Sequence, residues 1–389
     1  MNNIKFLPNI RFRKFEKRWK TEKLEELGNT FPSLSGKSKK DFGHGNAKYI
    51  TYMNVFTNPI ASMSGTEAIE IDKKQNSVKY GDVLFTMSSE TPEEVGMSSV
   101  WEYHAKNVYL NSFSFGFRPN SEFDLNFLAF LLRSQGVRRQ IVILAQGISR
   151  FNISKVKMMG INVTFPTNLF EQQKIGDFFS KLDKLLDLQQ QKIDKLELLK
   201  KALLQKLFPK HDAKIPELRF KGCDGEWEDC LVGNLLEVVP NKEYITEASK
   251  KGLNPVIQQG EKPILGFSNK TPYKEYKKVV LFGDHTVSLY KPESPFLIAT
   301  DGIKILYVKD WNGHFLFAFL QKYKPDSEGY KRHFSILKSK KAKFTIIDEE
   351  QQKIGNLLSK VDQLIELENK KLQNFQQVKK CLLQNMFVE

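Results

Sequence analysis

Apolar positions in two stretches of this chain recur at helical spacing for longer than one globular helix needs. In the first, Ile175, Phe178, Leu182 and Leu185 fall at steps of three and four, and Leu196, Leu199, Leu203 and Leu207 resume after the polar run Gln189 to Lys192. The second stretch repeats this at Ile354, Leu357, Val361 and Leu364, then at Phe375, Val378 and Leu382. Both predict amphipathic helices with these residues at a protein interface. Asn168 with Glu171 reads as a capping box at the first start, Asp348 with Gln351 reads likewise at the second, and Pro209 stops the first helix. About 38 residues at about 1.5 Å each give a rod of about 57 Å, too long to lie on one small domain. The helices should therefore pack on each other, and the interrupted heptad argues against a long regular zipper.

Aligned without a gap, residues 171–208 and 350–387 are identical at 18 of 38 positions, at an offset of 179. Background composition would give roughly two. A shorter match sets Leu7 to Trp19 against Ile215 to Trp227 at an offset of 208, pairing Pro8 with Pro216, Arg11 with Arg219, Phe12 with Phe220 and Trp19 with Trp227. The offsets differ because the segment between the matches is shorter in the second copy. The chain is thus a tandem repeat with divergent middles: a domain over 1–168, a long helix over 169–209, a domain over 210–348 and a long helix over 349–389. In the first middle, residues 47–55, 82–87 and 108–119 read as strands and 124–145 as one or two helices. In the second, 277–290, 295–308 and 342–347 read as strands and 311–323 as a helix. The fold class expected is α+β, with two mixed α/β domains and two long helices.

Composition places this in a folded protein, 40% hydrophobic and 27% charged, with no apolar run near the roughly 20 residues that cross a bilayer. The N-terminal stretch lacks the apolar region of a secretory signal, so a cytoplasmic location is expected. Three cysteines without a CxxC pair and six scattered histidines argue against disulfides and a zinc site. The net charge of +15 favours a polyanionic partner. That charge is unevenly spread: residues 169–208 carry eight basic and six acidic side chains and 349–389 six of each, whereas 1–168 hold 23 against 15 and 209–348 hold 23 against 18. The helices look protein-facing, and the excess positive charge sits in the domains.

The chain has no Pro-Pro dipeptide, so the Asp/Asn-Pro-Pro-aromatic motif of an adenine methyltransferase is missing, and no phosphate loop occurs either. Binding chemistry is better represented. Before the first long helix, Ser149, Arg150, Asn152 and Lys155 follow Gly147 in one loop, where Arg and Asn suit guanine and adenine edges and Ser and Lys suit phosphates. The second copy has Lys331, Arg332, His333, Lys338 and Lys340 at the equivalent place. A solvated connecting loop would carry similar residues, so both readings stay open. Further DNA-binding candidates are Tyr52, Asn54, Ser88, Ser89, Lys274 and Lys277.

These residues resemble the specificity subunits of type I restriction-modification systems, over nearly the whole chain. The carriers are the segment from Glu171 to Phe208 with its C-terminal repeat, the IPELRFKG segment leading to GEW, GDVLFTMSS, and NISKVKMMGINVTFP running into EQQ. The resemblance implies two target-recognition domains, each reading half of a split DNA site, separated by two helices packed as an antiparallel coiled coil in a pseudo-two-fold tandem repeat. It implies double-stranded DNA, two modification subunits and two restriction subunits as partners, with no membrane. Catalysis is then absent from this chain, S-adenosylmethionine, ATP and magnesium belonging to the partners, and helix length sets the unread spacer. A coiled-coil-tethered DNA-binding regulator without methyltransferase partners is the alternative, and a self-sufficient enzyme with an unrecognised motif is the third reading.

Overall fold

The computed structural model describes residues 7–329 and 331–388; Met1 to Phe6, Tyr330 in the second basic loop and Glu389 lie outside the described residues. The chain packs as two units, one comprising residues up to Leu188 together with those from Leu372, the other running from Gln189 to Lys371. The division cuts both long helices, Leu169–Lys206 and Asp348–Met386. Each unit holds the start of one and the end of the other.

In the first unit, Gly28–Phe31, Ser114–Pro119, Val83–Thr86 and Ser98–Val100 form, in that order, a four-stranded antiparallel sheet. A three-stranded sheet takes Thr66–Ile69, Phe42–Ile50 and Val108–Leu110, the last two parallel. Lys20–Lys23 pairs with Asn162–Phe165 just before the long helix. The second unit repeats this plan. Its four-stranded sheet is Glu237–Val239, Ile303–Tyr307, Val280–Gly283 and Leu289–Tyr290, and its three-stranded sheet is Ile264–Ser268, Asn254–Ile257 and Leu297–Ile298. Glu228–Leu231 pairs with Lys341–Phe344 as the counterpart of the first unit's edge pair. The middles, whose sequences do not align, share one topology.

The expected strands are corrected in their bounds: 108–119, 277–290 and 295–308 each divide into two strands, and two others shorten. Residues 47–55 are not one strand: it ends at Ile50, and Thr51 starts the helix Tyr52–Thr57 by accepting the Asn54 N–H on its hydroxyl at 3.2 Å. The strand expected at 342–347 is Lys341–Phe344, after which Thr345 turns the chain by accepting the Ile347 N–H. The helical reading of 124–145 resolves into Leu125–Leu132 and Gln135–Leu144.

The inward stripe of the first long helix is Ile175, Phe179, Leu182, Leu186, Gln189, Ile193, Leu196, Lys200, Leu203 and Leu207, buried or half-buried at alternating steps of four and three. The second helix repeats it 179 residues on, from Ile354 and Leu358 to Leu382 and Met386. The heptad is therefore uninterrupted, a 3.5-residue period that suits a left-handed coil. An apolar pattern misses this because polar residues hold some core positions. Of the residues expected at the interface, Ile175, Leu182, Leu196, Leu203, Ile354, Val361, Phe375 and Leu382 lie on the stripe. Phe178 and Leu357 pack half-buried on the domain cores instead. Leu185, Leu199, Leu364 and Val378 are corrected to exposed positions, each more than 40% accessible.

Within each unit the helices run antiparallel. In the second, Gln189 Nε2 donates to Glu368 Oε2 at 2.6 Å, while Lys200 pairs with Asp362 at 2.6 Å. In the first, Phe179 stacks on Phe387 at 5.7 Å and Asp183 pairs with Lys379. The Asp183–Lys379 and Lys200–Asp362 pairs are the same contact in the two copies of the repeat. Gln189 and Glu368 are themselves equivalent positions, 179 apart, so the repeat meets itself at this pair. Lys192 donates to the other Glu368 oxygen at 2.5 Å, so both oxygens of the buried carboxylate are bonded.

The short repeated motif also has a physical role. Arg11 grips the buried Glu171 carboxylate with two bonds of 2.6 and 2.8 Å, and Arg219 grips Glu350 with two of 2.8 and 3.0 Å. Such bidentate pairs fix geometry as well as charge. Trp19 adds a third donor to Glu171 at 3.2 Å. The expected capping boxes are thereby corrected: Asn168 accepts the Phe170 and Glu171 N–H groups, but Glu171 turns to Arg11. Asp348 is the first helical residue, and the Gln351 amide donates to Thr345 O. Next along each helix, Gly176 and Gly355 let a domain helix approach end-on, since a Cβ would lie 2.5 Å from Phe127 N at one and 2.6 Å from Phe315 N at the other.

Candidate nucleic-acid interface

In the first unit, Tyr52, Ser88, Ser89, Ser149 and Arg150 meet around one cleft of about 440 Å³, which Met53, Phe56, Glu90 and Glu94 complete. One wall is the helix Tyr52–Thr57. Its C-terminal carbonyls are capped by the Arg133 guanidinium, which donates to Val55 O at 2.9 Å, Phe56 O at 3.0 Å and Asn58 O at 2.9 Å. Burial pushes the Arg133 pKa down to about 9. Arg138 holds a second wall in the same way, donating to Val95 O at 2.7 Å and Gly96 O at 2.8 Å, with burial lowering it to about 10. Neither arginine stands out in the sequence, where both lie within a helical pattern; the one signal there is a charged residue beside buried positions.

The floor is Ser88–Ser89, paired antiparallel with Phe151–Asn152. Tyr52 donates its hydroxyl to Ser88 O at 2.7 Å and stacks on Phe56, and Ser89 donates to Glu94 at 3.0 Å. Ser88 and Ser89 are 6% and 7% exposed, so they support the cleft more than they face outward. Arg150 donates to Ser88 Oγ at 3.1 Å yet is otherwise open, as are Ser149, Asn152 and Lys155. Asn54 is corrected to a structural role. It is 3% exposed and donates to Ser62 O and Gly65 O while accepting from Ser62 N and Asn58, which spends its amide inside the fold.

The second unit arranges the equivalent segment differently. Lys331 and Arg332 are exposed ahead of the helix His333–Ser339, with Lys331 paired to Glu328 at 3.1 Å. His333 is wholly buried and leaves the set of surface candidates. Its Nε2 accepts the Glu328 N–H at 3.1 Å, which puts the proton on Nδ1, bonded to Asp284 O. It replaces Ile153: the Ile153 N–H goes to Met87 O where the His333 N–H goes to Asp284 O. Lys338 lies over the Phe334 ring at 5.6 Å, and Lys340 is exposed with its carbonyl accepting the Val232 N–H. Lys274 is exposed, whereas Lys277 lines a cavity of about 740 Å³ with Lys200, His314 and Lys291, the last pushed by burial down to about 8.

Among the described residues no group of three or more His, Cys, Asp or Glu is placed to hold a metal ion. No helix among them is long and apolar enough to cross a membrane.

Each unit thus sets a mixed α/β domain with a basic loop beside the start of a long helix. Residues 16–198 match the family model of the type I restriction modification DNA specificity domain. The "Putative type I restriction enzyme MjaX specificity subunit" of Methanocaldococcus jannaschii is 24% identical, over 94% of this chain and 92% of its own. The fold matches that of the type I restriction-modification system S subunit from M. genitalium with a TM-score of 0.66 at 17% identity, covering 98% of this chain and 99% of that one. A chain from a structure describing complex assembly and conformational transition of the type I R-M system matches with a TM-score of 0.54 at 15% identity, over 94% and 96% of the two chains. The expected resemblance is borne out over residues 16–198 by the family model, and the fold over nearly the whole chain is that of type I restriction-modification S subunits.

Proposed function

We propose that this chain selects a bipartite DNA site, each unit reading one half, and presents it to partner subunits that methylate adenine or cleave. The observation that carries this reading is the contrast within the repeat: the Arg11–Glu171 and Arg219–Glu350 grips and the Asp183–Lys379 and Lys200–Asp362 pairs recur, while Ser149, Arg150 and Asn152 ahead of Lys155–Met159 give way to Lys331 and Arg332 ahead of His333–Ser339. Two readers of different half-sites on one frame would have this form. In the first unit the reading residues are Ser149, Arg150, Asn152 and Lys155, with Tyr52, Ser88 and Ser89 behind them; in the second they are Lys331, Arg332, Lys338 and Lys340, with Lys274 and Lys277 as phosphate contacts.

The chain supplies no catalytic group. S-adenosylmethionine binding and adenine methylation belong to two modification subunits, and ATP and magnesium to two restriction subunits. Leu185, Leu199, Leu364 and Val378, joined by Leu188 and Leu367, form exposed apolar positions that recur at the repeat offset on both helices. Such paired positions suit two copies of one helical partner, docked by the same chemistry twice. Helix length then sets the spacer between half-sites.

The test is a map of methylated adenines in cells with and without this chain. A split, asymmetric motif that disappears with the chain is expected, and replacing residues 21–168 changes one half of it only. An unchanged map overturns the reading.

A further inference from the structure

Ile148 is 97% exposed, the most exposed large apolar side chain among the described residues. It stands at the tip of the loop between Gln146 and Asn152, which exchange both backbone hydrogen bonds, at 2.9 and 2.8 Å, and so close a narrow hairpin. The next strand residues, Phe151 and Asn152, are pinned to Ser88–Ser89. Gly147, at φ 149°, lets the chain turn so tightly that a Cβ there would sit 2.0 Å from Arg150 O. The tip is thus held rigidly from both sides, with Ser149 and Arg150 beside it on the rim of the cleft.

A β-branched aliphatic is poor turn chemistry, since such a tip favours Gly, Asn, Asp or Ser. Here the local rule is broken and no contact inside the fold compensates for it, which is the pattern expected of a functional position. A stiff apolar side chain on a rigid polar loop, next to an open guanidinium, matches the wedges that DNA-bending proteins insert between base pairs, where unstacking is exchanged for closer contact. We propose that Ile148 inserts between two adjacent base pairs of the half-site read by the first unit. It unstacks that step and makes recognition there depend on how easily the step deforms. Arg150 and Ser149 hold the flanking backbone or base edges while the wedge is seated. Flexible pyrimidine–purine steps are the ones that accept it at least cost. The inference rests on the reading of this chain as a DNA-selecting subunit.

The experiment uses the full chain assembled with its modification subunits and a 30-base-pair duplex carrying the motif found by methylation mapping. 2-Aminopurine is placed at successive positions through the first half-site. The wild-type complex is expected to raise fluorescence several-fold at one step. Ile148→Ala abolishes that rise and weakens binding about tenfold, Ile148→Leu retains both, and the Ile148→Ala chain unfolds at the wild-type temperature because the side chain packs on nothing. Wild-type binding with no unstacked step, or an Ile148→Ala complex indistinguishable from wild type, overturns the wedge and leaves DNA selection standing. A wild-type complex that binds no duplex specifically overturns both.

Discussion

Where Arg11 meets Glu171 in the first unit, Arg219 meets Glu350 in the second; where Gly176 admits one domain helix, Gly355 admits the other. At the loops the agreement stops. The first unit has a hairpin closed by Gln146 and Asn152 that lifts Ile148 and Arg150 outward, and the second has Lys331 and Arg332 ahead of a buried His333. The difference follows from what each residue must satisfy. A frame residue answers to a partner that is itself repeated, so a change on one side leaves a buried charge or a clash in the fold. A loop residue such as Arg150, exposed apart from its bond to Ser88, has little inside the fold to answer to and can differ freely between copies. The second unit even replaces the buried Ile153 by His333, which is tolerated because Glu328 N and Asp284 O take up both ring nitrogens.

The largest effect should come from breaking the frame. Arg219→Ala strands the Glu350 carboxylate at 1% side-chain exposure and should cost about 3–5 kcal/mol in denaturant unfolding, as should Arg11→Ala for Glu171. If one of the two is neutral, the units are not equivalent in this respect. Changing the loops should leave stability alone and alter reading. Arg150→Ala is expected to weaken specific DNA binding by about 1–3 kcal/mol and relax one half of the methylation motif, while Arg332→Ala touches only the other half. Competition binding against half-site variants separates them, and an equal loss over both halves would contradict independent readers. The smallest effect is expected where the frame itself is unequal. Glu368→Gln makes the Gln189 pairing symmetric and removes only the ion pair to the half-exposed Lys192, so unfolding should shift by about 1 kcal/mol or less. A larger loss would show that the unequal pair sets the helix register.

Much of this protein is legible in its sequence. Periodicity and self-comparison located both helices, the repeat and the Arg and Trp of the short motif, because apolar spacing and duplication are local properties that survive in the letters. The basic loops were legible as composition next to a helix start. Other features were not. An apolar pattern points to Leu185 and Leu364, since Gln189, Lys200, Glu368 and Lys379 join the inward stripe only when the opposite helix supplies their partners. Asn54 and His333 looked like surface chemistry until their neighbours, distant in sequence, used up their hydrogen-bonding groups. The walls of the cleft depend on Arg133 and Arg138, whose targets lie roughly 40 to 80 residues away. The helices, the tandem order and the sign of the charge are all written in neighbouring residues. Which polar groups are spent inside the fold and which stay open is settled by folding, because burial and pairing are set by residues that the chain brings together from afar.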